Sequence, residues 1–294
     1  MPETPRARPP GFLGWLLLAP MILWLLVFVV APTLILAVVS CCQRDDLGQV
    51  VYAFTSENYQ RIFIDPETGE WGTIYLTIFL RSLSYAGLTT LLCLIIGFPV
   101  AWTIGRAPKH RRHLLLTLVM IPFWTSFLIR TYAWMTILST NGLLNSFLQS
   151  THLIIEPLEL LYTPGAVILG LVYTYLPFFI LPVYGSIEKL EYFLVEAALD
   201  LGATPLKTFQ NVIFPLTRPG IIAGSLLVFV PALGMFAISQ LMGGGTSPTI
   251  GEVIQNQFMQ ARDWPFGAAL GMTLVVVFTI VFSFFTQRKK IAES

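Results

Sequence analysis

The stretch EAALDLGATPLKTFQNVIFPLTRPGI, Glu196 to Ile221, is amphipathic, punctuated by Gly202 and closed by prolines, and it separates two long apolar segments. From Leu190 onward, apolar side chains recur at Phe193, Leu194, Ala197 and Leu201, the spacing of one helix face, while Lys189, Glu196 and Asp200 gather on another. Gly202 falls where the chain leaves that helix, and glycine adopts a left-handed cap at little cost. Thr204 is placed to cap a second helix with Pro205 at its first position, and Leu206, Phe209 and Ile213 form that helix's apolar face. Pro215 is expected to end the second helix, with Pro219 and Gly220 opening the next apolar segment. A compact helix, glycine turn and helix result. Such a unit is either a docking knob or an interfacial hairpin lying on a bilayer, and periodicity does not separate the two.

The surroundings of this stretch are those of a membrane protein. Hydrophobic residues make up 55% of the 294 positions and charged residues 11%, with a mean hydropathy of +0.73, whereas soluble domains average about 25% charged. A spanning helix needs roughly 20 apolar residues, and six segments qualify: 12–39, 74–104, 114–138, 164–187, 219–241 and 266–286. The expectation is an all-α integral membrane protein of six transmembrane helices in one domain, 1–294, with 188–218 as the loop between the fourth and fifth. The first segment follows Arg6 and Arg8, but it exceeds the apolar core of a signal peptide and no small-residue cleavage site follows, so it is expected to remain as a helix.

Lys and Arg set the expected orientation. Placing both termini and the loops after the second and fourth segments in the cytoplasm puts twelve Lys and Arg there, against Arg44, Arg61 and Arg262 outside. The outer loops then carry ten acids, Glu252 and Asp263 among them. These acids fit attraction of a cationic solute, but the removal of Lys and Arg from outer loops by orientation alone accounts for them whatever is carried. Prolines at 20, 32, 99, 122, 177, 182 and 231 favour kinks within the spans. Arg81 and Arg130 are the charges within them, and both are placed to snorkel toward the outer interface or to line a vestibule.

The catalytic motifs are missing. There is no HExxH, GxSxG or GxxxxGK[ST], the three histidines are not paired with cysteine, and Cys41, Cys42 and Cys93 form neither a disulfide framework nor a metal-ligand pattern. No catalytic or metal residue is assigned, no nucleic-acid partner is expected, and this chain has no route of its own to ATP through a phosphate loop. For a solute pathway the candidates are the aromatics Trp134, Tyr173, Tyr175 and Phe236 with Gln240 and Glu252 near the outer end of the fifth segment. Each aromatic is equally compatible with ordinary interfacial belts and helix packing.

The opening stretch resembles the signature loop of binding-protein-dependent ATP-binding cassette importer permeases: Glu-Ala-Ala, three residues, Gly, nine residues, an aliphatic, one residue, then Leu-Pro. Here these are Glu196, Ala197, Ala198, Gly202, Val212, Phe214 and Pro215, with Val212 and Phe214 in place of the usual Ile and Leu. Nearly the whole chain is similar to the spermidine/putrescine branch, through TYLPFFILPVYGSIEKL, FVPALGMFAISQLMGGG, TIGEVIQNQF and RDWPFGAAL.

The resemblance implies a type I importer permease of the bacterial inner membrane. It also implies a second permease subunit, a paralogue of this one, two cytoplasmic ATPases that hold ATP and magnesium, an external or periplasmic solute-binding protein and surrounding lipid, with no cofactor in this chain. Glu196, Ala197, Ala198, Asp200, Gly202 and Pro215 would then form the cytoplasmic coupling helix and its exit. Where this branch is expected to carry an acid, the chain has Gln240. The other class considered is a stand-alone ion channel or proton-coupled carrier, which usually places ionisable groups deep within its spans.

Overall fold

Among the described residues, four helices are long and apolar enough to cross a bilayer: Leu17–Ser40, Ile74–Arg106, Pro164–Glu188 and Pro205–Gly234. They belong to a computed structural model that describes residues 12–45, 48–64 and 71–292. In chain order the helices are α1 (Phe12–Leu25, a π turn Leu26–Val30, then Ala31–Ser40), α2 (Glu57–Phe63), α3 (Ile74–Arg106), α4 (Lys109–Met120), α5 (Phe127–Leu138), α6 (Leu143–Ser150) and α7 (Pro164–Glu188). They continue with α8 (Tyr192–Asp200), α9 (Pro205–Gly234), α10 (Ala237–Gly243), α11 (Ile250–Met259) and α12 (Trp264–Ala292). The only sheet among the described residues pairs Gln43–Arg44 with Val50–Val51.

Two compact units are present, Met1–Trp71 with Asn256–Ser294, and Gly72–Gln255. In the first, α12 packs on α1 and α2. The Asn58 amide donates to the carbonyls of Ser40 at 3.0 Å and Cys42 at 2.8 Å, tying α2 to the end of α1. Asp263 is buried; it accepts from Arg61 Nη1 at 3.0 Å and from the Phe266 backbone N–H at 3.1 Å, so it caps α12 while neutralising a cation. Arg61 also stacks 4.3 Å from the Phe266 ring centroid. Asp263 therefore spends its charge inside its own unit.

In the second unit α7 is central. Over its most apolar window it is 56% buried, against 28% for α3 and 33% for α9. Phe179 shows how the three meet: it is wholly buried, and a Cβ added to Gly97 on α3 or Gly224 on α9 would lie 2.7 Å from its ring or 2.9 Å from its carbonyl oxygen. Small residues let backbones approach within a membrane, where packing rather than solvent exclusion drives association.

Three of the six segments differ from the sequence-based expectation. The third apolar run, 114–138, is not one rod: Lys109–Trp124 and Phe127–Ser150 meet at 88°. Pro122 lies in a 3₁₀ turn, Ile121–Trp124, and Thr125 and Ser126 turn to extended backbone, so the helix stops where proline has already removed a donor. The fifth segment begins at Pro205 rather than Pro219, and it ends at Gly234 rather than Leu241. Pro215 and Pro219 lie inside it, because Phe209–Ile213 forms a π turn in which Phe214 N–H bonds Phe209 carbonyl. This wider turn immediately precedes Pro215 and relieves the ring's conflict with the preceding turn. In the sixth segment the apolar part described runs Trp264–Ile280.

Candidate functional site

From Leu190 to Pro205 the chain folds as its local signals required, whereas Pro215 lies within a helix that it was expected to end. α8 ends in a glycine cap: Gly202 has φ +84°, its N–H bonds the Leu199 carbonyl at 2.9 Å, and the Ala203 N–H reaches the Ala198 carbonyl at 3.1 Å. These two bonds form the Schellman pattern, which closes the orphan carbonyls of the last turn. Thr204 Oγ1 then accepts from the Lys207 N–H at 3.4 Å, and Pro205 opens α9.

Around this turn Glu196, Asp200, Leu201, Gly202 and Leu206 are exposed, Leu201 at 89% and Leu206 at 66%, while Ala197 and Ala198 are half-buried. Bare leucines beside acids and a glycine make a face suited to a protein groove. Pro215 is exposed on α9, two residues beyond the π segment, rather than at a helix end.

The knob is anchored from beneath. Arg106, at the end of α3, donates to the Tyr192 hydroxyl at 2.6 Å and stacks 4.7 Å from its ring centroid, and Val195 is buried. Arg112 on α4 bonds Glu188 at 2.9 Å and the Gly105 carbonyl at 2.8 Å. Both exits of α3 and α7 are thus locked to the approach of α8.

The six pathway candidates do not form one cluster. Trp134 on α5 and Tyr173 on α7 meet edge to face at 5.6 Å. Tyr175 is buried and meets Phe178 at 6.3 Å with tilted rings. Phe236 is 41% exposed, in the break between α9 and α10, and Gln240 is exposed on α10.

Glu252 is the correction among them. Counted among the outer-loop acids, it is in fact 5% exposed on the first turn of α11, accepting a 2.8 Å bond from the Ser239 hydroxyl of α10. α11 is seated there because the Ile250 N–H bonds Ser82 Oγ of α3 at 2.8 Å, and Gly251 leaves room for the Gly234 carbonyl. A buried carboxylate held by a single hydroxyl keeps acceptor capacity for a cation.

Sequence reasoning missed the company of Arg130. Its guanidinium lies 5.1 Å from the Phe123 ring centroid and 5.6 Å from that of Tyr173, and its Nε and Nη1 are buried without a hydrogen-bond partner. The arginine is held by rings rather than released to an interface. The bend after Trp124 creates this arrangement; Pro122 signals a kink in the apolar run, but not one of 88°. Ser82 and Ser239 were equally invisible, being single hydroxyls in helical runs.

Residues 94–289 match the family model described as binding-protein-dependent transport system inner membrane component. The chain is 49% identical over 254 residues to the spermidine/putrescine transport system permease protein PotB of Escherichia coli, covering 86% of this chain and 90% of that one. To the Haemophilus influenzae protein of the same name it is 41% identical over 268 residues, 91% of each chain. In fold it is similar to a bacterial ABC transporter involved in the import of the acidic polysaccharide alginate, with a TM-score of 0.72, covering 95% of this chain and 96% of that one at 20% identity.

Proposed function

Because the chain belongs to the binding-protein-dependent transport system inner membrane component family and is a multi-pass permease of an ABC importer, we propose that its solute is a polyamine of the spermidine/putrescine class. The observation that carries this reading is similarity at 49% and 41% identity, across most of the chain, to permeases named for those solutes. Two local features support it. Trp134 and Tyr173 pair edge to face and add aromatic surface of the kind that attracts ammonium groups, with Arg130 already over the Tyr173 ring, and Glu252 offers a buried carboxylate.

The assembly in this reading has a second permease subunit, two ATPases that bind ATP and magnesium, and a solute-binding protein. The ATPase groove receives α8 and its glycine turn, with Leu201 and Leu206 as apolar contacts and Glu196 and Asp200 meeting polar or basic groups. Pro205–Gly234 is a 30-residue helix, about 45 Å long at the α-helical rise. It starts at the turn and ends at the break beside Phe236, near α10 and its Gln240. A push at Gly202 is therefore delivered along one rod to the candidate pathway end, and nucleotide binding shifts the pathway between outward and inward exposure.

Uptake of labelled spermidine and putrescine by cells expressing the complete transporter tests the substrate. Transport of either supports the assignment; transport of another solute with neither polyamine accepted overturns it. The twelve-to-three charge split supports cytoplasmic termini and a cytoplasmic knob. Single cysteines replacing His152 or Thr246 in a Cys-free protein are then expected to react with an impermeant thiol reagent in intact cells. A cysteine at Thr204 is expected to stay unlabelled, and its labelling from outside would reverse the orientation.

A further inference from the structure

A groove runs between α3 and α4 with charge at one end and hydrocarbon at the other. Its mouth, about 650 Å³, is lined by Trp102, Thr103, Arg106, Arg111, Leu114 and Leu115, among others. A second hollow of about 430 Å³ shares Thr103 and Leu115 with it and continues along Pro99, Val100, Ile104, Leu118 and Val119. No acid lines either part. Leu114 and Leu118 are 60% and 51% exposed, so the apolar wall is open. Arg112 and Glu188 neutralise each other at 2.9 Å outside the groove, whereas Arg111 is exposed and forms no ion pair among the described residues.

We propose that this groove binds one anionic phospholipid, its phosphate between Arg106 and Arg111 and an acyl chain along Ile104, Leu115 and Leu118. Charge complementarity selects the occupant: two guanidinium groups without a carboxylate call for an anion, and the continuous apolar wall calls for a tail. Basic pockets between spanning helices hold anionic headgroups for this reason, and Trp102 supplies the ring that favours headgroup depth. The site bears on regulation through Arg106, which bonds the Tyr192 hydroxyl at 2.6 Å at the first residue of α8. A phosphate beside Arg106 fixes the guanidinium that anchors the coupling knob, so lipid occupancy stiffens the knob. This holds whichever solute is carried.

The test uses the complete transporter in nanodiscs containing phosphatidylglycerol and phosphatidylcholine. Native mass spectrometry of the released complex is expected to retain phosphatidylglycerol in preference to phosphatidylcholine, and Arg111→Gln to reduce that retention about fivefold, the contribution of one basic side chain near an anionic surface. Thr103→Trp, which fills the junction of the two hollows, is expected to exclude the lipid while the intact complex mass persists. Equal retention of both lipids, or no effect of Arg111→Gln, overturns the site. Displacement of the lipid by glycerol phosphate without tails overturns it too, since it indicates a free-anion site. So does a disulfide between a cysteine at Leu118 and the partner permease, which would place a protein helix in the groove.

Discussion

Gly202→Val complexes are expected to insert and assemble in the membrane while losing most of their substrate-stimulated ATP hydrolysis. Gly202 holds φ +84°, and a Cβ placed there meets nothing within 4 Å. Crowding is therefore not the cause of the expected loss. The cost is the left-handed backbone itself, roughly 1–2 kcal/mol for an ordinary L-residue, and a β-branched side chain is the least able to adopt it. An energy of that size shifts the formed turn against its alternatives by a factor of about 5 to 30.

The two bonds of the cap, from Gly202 to Leu199 and from Ala203 to Ala198, open together, and α8 loses its fixed direction relative to α9. Gly202→Asn separates conformation from bulk, because asparagine visits the left-handed region with little strain; it is expected to keep most of the stimulation. Normal substrate-dependent ATPase activity in Gly202→Val would show that the knob lies on the bilayer and drives nothing. Loss in both variants would point to close approach by a partner instead of to the cap.

How far the sequence reveals the protein depends on the range of the interaction that decides each feature. The knob was legible because its signals are local: an apolar repeat through Leu201, then Gly202, then Thr204 and Pro205, all within a few residues of the bonds they make. The helix of the fourth segment was equally plain, since Pro164–Glu188 is buried on so many sides that its whole length is apolar. Pro215 misled because a proline's effect depends on the turn before it, and the π turn at Phe209–Ile213 lets the helix pass through.

Pro122 marked a kink in the third segment, but the 88° break depends on the 3₁₀ turn Ile121–Trp124 and the extended Thr125 that follows it. Glu252 was counted simply as an outer-loop acid because its buried setting depends on Ser239, thirteen residues away, and on Ser82, which holds its helix from 168 residues away. Asp263 was similarly an outer-loop acid until Arg61 was seen beside it. Charge counts along a loop record none of these pairings, so the acidity of the outer loops overstated what is free to meet a solute.

Glu252→Gln is expected to lower spermidine uptake about tenfold or more, the loss of one charge-assisted interaction worth 1.5–3 kcal/mol. The substitution is nearly isosteric, and its amide oxygen can still accept from the Ser239 hydroxyl, now at 2.8 Å. The fold of α10 against α11 is thereby kept and the charge alone removed. Ser239→Ala is the structural comparison: it deletes the bond and leaves the carboxylate. If Glu252 serves only to seat α11, Ser239→Ala harms uptake at least as much as Glu252→Gln and both lower thermal stability together. If Glu252 meets an ammonium group, Glu252→Gln raises the KM for spermidine more than for putrescine, which presents fewer charges, and stability stays near wild type.

Gln240→Glu tests the same idea from the opposite direction. Its side chain is exposed on α10, one residue from Ser239, so a carboxylate there pays little desolvation and adds negative charge beside the carboxylate already present. For a dicationic or tricationic solute this preserves or improves uptake; for an anionic or neutral one it is indifferent or harmful. Improved spermidine uptake in Gln240→Glu with impaired uptake in Glu252→Gln would assign this end of the molecule to cation passage. Unchanged kinetics in both would remove α10 and α11 from the pathway and leave the paired rings of Trp134 and Tyr173 to account for recognition.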